Sequence, residues 1–222
     1  MDWTDASGKT LADYPRPSLA VDVALLTVTT DEDGDQQLRV LLQPHDDETW
    51  SLPGSFVRVG ERLLDAVRRT VDGKLGLTVR DPRTLAIFDD PGRDSRGHVV
   101  TVAHADLLSP DELAGGGSWV LTPVERGRAR LPRRGRLRYD HEQIVAAAVG
   151  WAQERYGRRP DPSRLLPEPF TLRELRLLHE AVLGERLQKD SFRRRMNDRL
   201  EELPERTSGG LGRPAGLFRH RP

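Results

Sequence analysis

Near the end of the chain, Ser191, Arg193, Arg194, Arg195 and Asn197 follow one another closely. These side chains carry the chemistry of base-edge recognition: arginine pairs bidentately with guanine, asparagine with adenine. With Phe192 as origin and a step of roughly 100° per residue, Phe192, Met196, Leu200 and Leu203 gather on one side. Ser191, Arg194, Asn197 and Asp198 point the opposite way, flanked by Arg193 and Arg195. An apolar stripe backed by Arg and Asn is what a major-groove helix needs. Lys189, Arg193 and Arg195 are placed for phosphates, which position a protein without reading sequence. The extended Gly212-Arg213-Pro214 suits a minor groove, where arginine is favoured electrostatically. The plain alternative is a solvated helix in an arginine-rich chain, since 32 of the 35 basic residues are Arg.

Other arginines suit a small anion. Arg93 and Arg96 lie in the turn-rich Asp90-Pro91-Gly92-Arg93-Asp94-Ser95-Arg96-Gly97. Guanidinium groups pair well with phosphate oxygens, although such a loop can also be an exposed hairpin tip. Arg126 to Arg138 holds seven Arg in 13 residues. That run could track a DNA backbone, bind an acidic partner, or be a solvated loop. The chain has no Cys, which excludes a disulfide scaffold, a Cys-ligated zinc and a thiol nucleophile.

The elements that must hold these residues follow from pattern. At 222 residues, one large or two modest domains are expected. Basic and acidic residues balance at 35 each. Residues 1–160 hold 22 basic and 25 acidic, whereas 161–222 hold 13 and 10, a change of sign between the parts. Ser18 to Thr30, the turn DEDGDQ and Leu38 to Leu42 predict a hairpin. A short strand at Trp50–Gly54 ends at Pro-Gly. Residues 61–75 show helical spacing, and Gly76 sits at a C-cap position. Residues 84–88 and 98–106 predict two more strands. Residues 140–156 predict a helix with Ile144, Ala147, Ala148 and Trp151 inward. Four prolines in 157–169 predict a linker. Thr171 and Glu174 form a capping box, with Phe170 and Leu175 at staple positions. Leu172, Leu175, Leu178 and Val182 stripe that helix, which Gly184 ends. A second helix begins near Asp190, and a last strand covers Leu217 to Arg219. Helix, turn, helix, hairpin is the order of a winged helix.

Gly54 to Leu77 resembles the Nudix box, G-x5-E-x7-R-E-U-x-E-E-x-G-U, where U is aliphatic. The flanking LPGSFVRVGE is similar to the family's LPGGFVEPGE. Alignment on Glu61 puts Ser55 at the first glycine, Arg69 at the arginine, Val71 at the aliphatic site and Gly76-Leu77 at the close. Thr70, Gly73 and Lys74 stand where the family has its remaining glutamates. Those carboxylates, one helical turn apart, normally supply oxygen ligands to Mg²⁺. Without them there is no metal clamp and no activated water. The expectation is therefore no catalytic residue, no metal site and no required cofactor. Lys74 could neutralise a diphosphate itself or be a solvated surface residue. The loop at 90–97 resembles that of ADP-ribose-type Nudix proteins.

Over nearly its whole length the chain resembles the Nudix-related transcriptional regulators of bacteria, the NrtR family. The likeness rests on DDPGRDSRG, Tyr139-Asp140-His141, LLPEPFTLRELRLLHEAVLG and GRPAGLFR. It implies an α+β fold, a Nudix-type α/β/α sandwich (1–156), a linker (157–169) and a C-terminal winged helix-turn-helix domain (170–222). It also implies a homodimeric repressor of NAD-biosynthesis or salvage genes, released from double-stranded operator DNA by ADP-ribose or a related NAD-derived nucleotide. The effector would meet Ser55, Phe56, Arg58, Glu61, Arg69, Lys74, Arg93 and Arg96. The operator would meet Lys189, Ser191, Arg193, Arg194, Arg195, Asn197 and Arg213. No apolar run approaches ~18 residues and the N-terminus has no signal-peptide pattern, so a cytoplasmic protein without a membrane partner is expected. Two rivals are an active ADP-ribose or nucleotide-sugar pyrophosphatase and a module whose basic tail binds RNA or protein. The exposed helix face lacks aromatics for single-strand stacking, which argues against RNA.

Overall fold

The computed structural model describes residues 3–31, 33–45, 48–114, 117–132, 134–207 and 214–221. In chain order the elements are β1 (Ser18–Thr30), β2 (Gln36–Pro44), β3 (Thr49–Ser51), β4 (Gly54–Phe56), α1 (Leu63–Leu75), β5 (Arg83–Phe88) and β6 (Val99–Leu107). There follow β7 (Val120–Glu125), β8 (Arg128–Ala129), β9 (Arg136–Leu137), α2 (His141–Arg158), β10 (Phe170–Thr171), α3 (Leu172–Leu183), α4 (Lys189–Met196), β11 (Leu200–Arg206) and β12 (Gly216–His220).

β1 is the spine of a mixed sheet ordered β5-β6-β1-β2-β3-β9, with β4 also on β1 and β7 also on β2. The expected hairpin forms, with Leu26 opposite Val40 and Thr30 opposite Gln36. β6 runs parallel to β1. Successive strand residues face opposite sides, and β1 uses both. Val21, Val23 and Leu25 pack with Ala66, Val67, Val71 and Leu75 of α1. Ala24, Leu26 and Val28 pack with Ile144, Val145, Ala148 and Val149 of α2. The sheet is thus sandwiched between α1 and α2. Gly76 closes α1 at φ 66, a left-handed cap that glycine adopts without a Cβ penalty.

The inward face of α2 is broader than the expected stripe. Ile144, Val145, Ala148, Val149, Ala152 and Tyr156 are buried, while Ala147 and Trp151 are half-buried. α3 covers α2 as well as the sheet does: Leu178 and Val182 of α3 lie in the same cluster as the first domain's core.

The proline-rich stretch is a packed joint rather than an open tether. The Asp161 carboxylate is buried and accepts the Tyr156 hydroxyl at 2.8 Å, Leu165 N at 2.9 Å and Leu166 N at 2.8 Å. Its own amide donates to His179 Nε2 at 3.2 Å. Burial pushes His179 down to about 3, so this ring is neutral.

Beyond the joint, β10, β12 and β11 form a three-stranded sheet in that order. The capping box is made: Thr171 Oγ1 accepts Glu174 N at 3.2 Å, and Glu174 accepts Thr171 N at 2.7 Å. Phe170, Leu175, Phe192, Met196, Leu200 and Phe218 form a small core. The second helix is shorter than expected. α4 ends at Met196, a single 3-10 turn spans Asn197–Arg199, and Leu200 and Leu203 belong to β11. The four-residue spacing misled because Leu200 reaches the same core from a strand. The two-residue β10 had no sequence signal of its own.

Candidate ligand cleft and arginine-bearing helix

A cleft of about 400 Å³ opens at the end of β1 where β4, α1 and α2 converge. Its lining includes five of the expected residues, Ser55, Phe56, Lys74, Arg93 and Arg96. Arg58, Glu61 and Arg69 are not among the lining residues. Glu61 is held by Arg69 at 2.6 and 2.8 Å and accepts Arg58 N at 2.9 Å. These bonds, Arg69 first, hold the Glu61 carboxyl at about 2. Arg69 also donates to the Phe56 carbonyl at 3.1 Å. This cluster fixes the β4–α1 loop and so shapes the cleft wall from behind. The Arg58 side chain is exposed.

The α1 face toward β4 carries the substituted positions. The Thr70 hydroxyl donates to Ala66 O at 2.6 Å and lies 2.6 Å from Ser55 Oγ. Gly73 offers no ligand atom. Lys74 Nζ donates to the Gly54 carbonyl at 2.5 Å. Burial lowers the Lys74 pKa, with Asp22 acting against it. A divalent cation wants several oxygens, carboxylates foremost. A hydroxyl already bonded, a glycine and an ammonium do not fit one on this face.

Asp22 organises the floor, and sequence reasoning missed it. Its signal was present: a carboxylate inside the apolar run SLAVDVALL must find partners when buried. Asp22 Oδ1 lies 3.4 Å from His141 Nε2, and Asp22 Oδ2 lies 3.3 Å from Arg93. Burial opposes its charge, but His141 and Arg93 outweigh that and hold its pKa below the ordinary value. His141 Nδ1 accepts Leu52 N at 2.9 Å. Gly54 is required here, because a Cβ would collide with Asp22 Oδ1.

Arg93 is not a hairpin tip. Its side chain is 3% exposed and grips Asp140 at 2.8 and 2.5 Å. Burial works against its charge, yet Asp140 and Asp22 raise its pKa. Arg96 is paired with Asp94 at 2.7 Å. Its guanidinium lies 5.3 Å from the ring centroids of both Phe56 and Tyr139. Tyr139, Asp140 and His141 open α2, so one helix N-terminus brings three residues to the cleft region. Arg138 also lines it. The cleft therefore offers cations for phosphate oxygens beside two half-exposed aromatic rings.

The second candidate site is α4. Gln188 caps it by accepting Ser191 N at 2.6 Å. Phe192 and Met196 are buried, whereas Lys189, Ser191, Arg193, Arg194 and Arg195 are exposed. Among the described residues, Arg193, Arg194 and Arg195 have no ion-pair partner. Asn197 is exposed and caps the C-terminal end of α4, opening the 3-10 turn that follows. Arg213 lies outside the described residues.

The family described as NrtR DNA-binding winged helix domain matches residues 162–220. The "ADPR responsive transcriptional repressor NtrR" of Acinetobacter baylyi is 30% identical over 94% of this chain and 84% of its own length. This chain belongs to the NrtR family. Shewanella oneidensis NrtR, solved in complex with a 27mer DNA, superposes with a TM-score of 0.71 at 30% identity, covering 91% of this chain and 93% of that one. An ADP-ribose pyrophosphatase of Methanocaldococcus jannaschii is 30% identical over 46% of this chain and 58% of its own length. The Acinetobacter baylyi repressor and Shewanella oneidensis NrtR each span most of this chain, whereas the Methanocaldococcus jannaschii enzyme matches under half of it. No helix among the described residues is long and apolar enough to cross a membrane.

Proposed function

We propose that the protein is a DNA-binding transcriptional repressor whose Nudix-like domain senses ADP-ribose or a related NAD-derived nucleotide without hydrolysing it. The observation that carries this reading is the Lys74 ammonium, bonded to the Gly54 carbonyl where the Nudix box would place a carboxylate. A cation there attracts a diphosphate directly and repels the metal that would activate water. Lys74, Arg93 and Arg96 serve the phosphates, Phe56 serves a flat ring, Ser55 lines the wall, and Arg58, Glu61 and Arg69 support the loop. Residues 170–222 bind double-stranded operator DNA through Lys189, Ser191, Arg193, Arg194, Arg195, Asn197 and Arg213. The protein acts as a homodimer on NAD-biosynthesis or salvage genes, in the cytoplasm, and needs no cofactor.

The deciding experiment is binding to a duplex from the gene's own upstream region, with and without ADP-ribose. Retarded duplex that ADP-ribose releases supports the reading; duplex bound identically in both conditions overturns effector control. A second reading, an ADP-ribose pyrophosphatase, draws on the likeness to the Methanocaldococcus jannaschii enzyme. ADP-ribose incubated with Mg²⁺ or Mn²⁺ should release AMP no faster than a protein-free control. Turnover near ~10 per second, typical of enzymes, would establish the hydrolase instead.

A further inference from the structure

The last turn of α2 carries Arg155 and Arg158, and Arg159 follows as its C-cap. Residues three and four apart share one helix face. Arg83, at the start of β5, faces them across a groove of about 350 Å³ that Glu154 and Pro162 complete. The acids present cover part of this charge. Asp81 takes Arg83 at 2.9 Å, and Glu154 takes Arg158 at 3.1 Å with both side chains largely exposed. Arg155 lies 5.0 Å from the Trp151 ring and donates to the Pro162 carbonyl at 3.3 Å, with no acidic partner among the described residues. Arg159 is exposed and also has no acidic partner among them. The negative end of a helix dipole favours cations in its last turn. That accounts for arginines on α2 but not for Arg83, which comes from the sheet.

The groove adjoins the recognition helix. Arg199, in the turn that ends α4, donates to the Arg158 carbonyl. Phe192 of α4 packs edge-on against His179 at 5.0 Å, and His179 against Tyr156 at 5.1 Å, one turn before Arg159. Arg199 thus ties the turn after α4 to the groove rim of Arg158, Arg159 and Arg83, while Arg193–Arg195 stand exposed on α4 itself. An open, arginine-lined groove next to the end of an exposed arginine-bearing helix fits a sugar–phosphate strand.

We propose that this joint groove binds backbone phosphates of duplex DNA beside the segment read by α4, so that the first domain shares in holding the operator. The proposal rests on the reading that the chain binds duplex DNA. It is tested with the full chain and a mixed-sequence duplex several turns long, by anisotropy across a salt series. Arg158→Ala with Arg159→Ala should weaken binding to every sequence alike. The slope of log affinity against log salt should become shallower by about 0.9 for each phosphate that is no longer neutralised. Arg158→Lys with Arg159→Lys should restore it, which separates charge from misfolding. Thermal unfolding with inorganic phosphate runs beside it. If the wild type binds no duplex, the DNA reading itself fails. If Arg193→Ala flattens the slope but the double alanine variant keeps the wild-type slope, the DNA reading stands and the groove proposal falls. Loss of phosphate protection alone, with the DNA slope unchanged, would make the groove a small-anion site and also overturn it.

Discussion

At Gly54 a backbone choice and a charge choice meet. The Asp22 carboxylate occupies the space that any Cβ would need, and it is held there by His141 and Arg93. Gly54→Ala must either displace Asp22 from that network or shift β4 away from β1. Overpacking of this kind costs about 1–3 kcal/mol. Because the Gly54 carbonyl also anchors Lys74, the same variant should weaken ADP-ribose binding by more than a surface substitution does. Denaturant unfolding checks the first outcome and calorimetric titration the second. A variant with parental stability and affinity would show that the floor is not built on this contact.

The elements explain what could be read beforehand and what could not. β1, β2, α1 and α3 announce themselves locally, through alternation, helical spacing, the capping box and the C-cap glycines at 76 and 184. The α4 end was not legible, because an apolar residue every four positions satisfies a helix and equally a helix followed by a strand. In the cleft, Ser55, Phe56, Lys74, Arg93 and Arg96 were found because they fall in or beside a motif. Asp22 gave no motif, and Asp94 and Tyr139–His141, although in motifs, gave no sign of their place in the cleft, since that depends on which elements converge. The packing of the joint is not legible for a related reason: prolines signal a turn, but Asp161 makes its bonds to Tyr156, Leu165, Leu166 and His179 only in three dimensions. This joint carries a pH signature. Folded His179 titrates at about 3 because of burial, against 6.5 when exposed. Between those values the unfolded chain holds a proton that the folded chain lacks, so stability falls as pH drops below about 6.5. The slope is at most about 1.4 kcal/mol per pH unit. His179→Gln keeps an acceptor for the Asp161 amide and should flatten the difference. Denaturation midpoints of parent and variant that fall in parallel on acidification would rule His179 out as the source.

At the level of the whole chain, the shared core decides where an effector can act. α3 contributes Leu178 and Val182 to the cluster that also holds α2 and the sheet, so the winged helix is bolted to the first domain. A ligand that alters the cleft moves Asp140 and His141 at one end of α2, and Tyr156 at the other end touches His179 beneath Phe192. In the proposed homodimer each protomer would then shift as one body, and the quantity that changes would be the spacing between the two recognition helices. A dimer reading a palindrome needs that spacing near 34–36 Å, so a small rotation of the pair suffices to weaken binding. Ligands move such an equilibrium only by binding its two states unequally, and linkage makes the effect reciprocal. ADP-ribose should lower operator affinity by about 5–150-fold, and operator DNA should lower ADP-ribose affinity by the same factor. Pro167→Ala in the joint should leave this factor intact, because the packed bonds of Asp161 rather than the proline hold the angle. Anisotropy with labelled operator and calorimetry with ADP-ribose measure the two factors separately. A coupling abolished in Pro167→Ala with both affinities preserved would move the hinge back to the joint and overturn the rigid-protomer account.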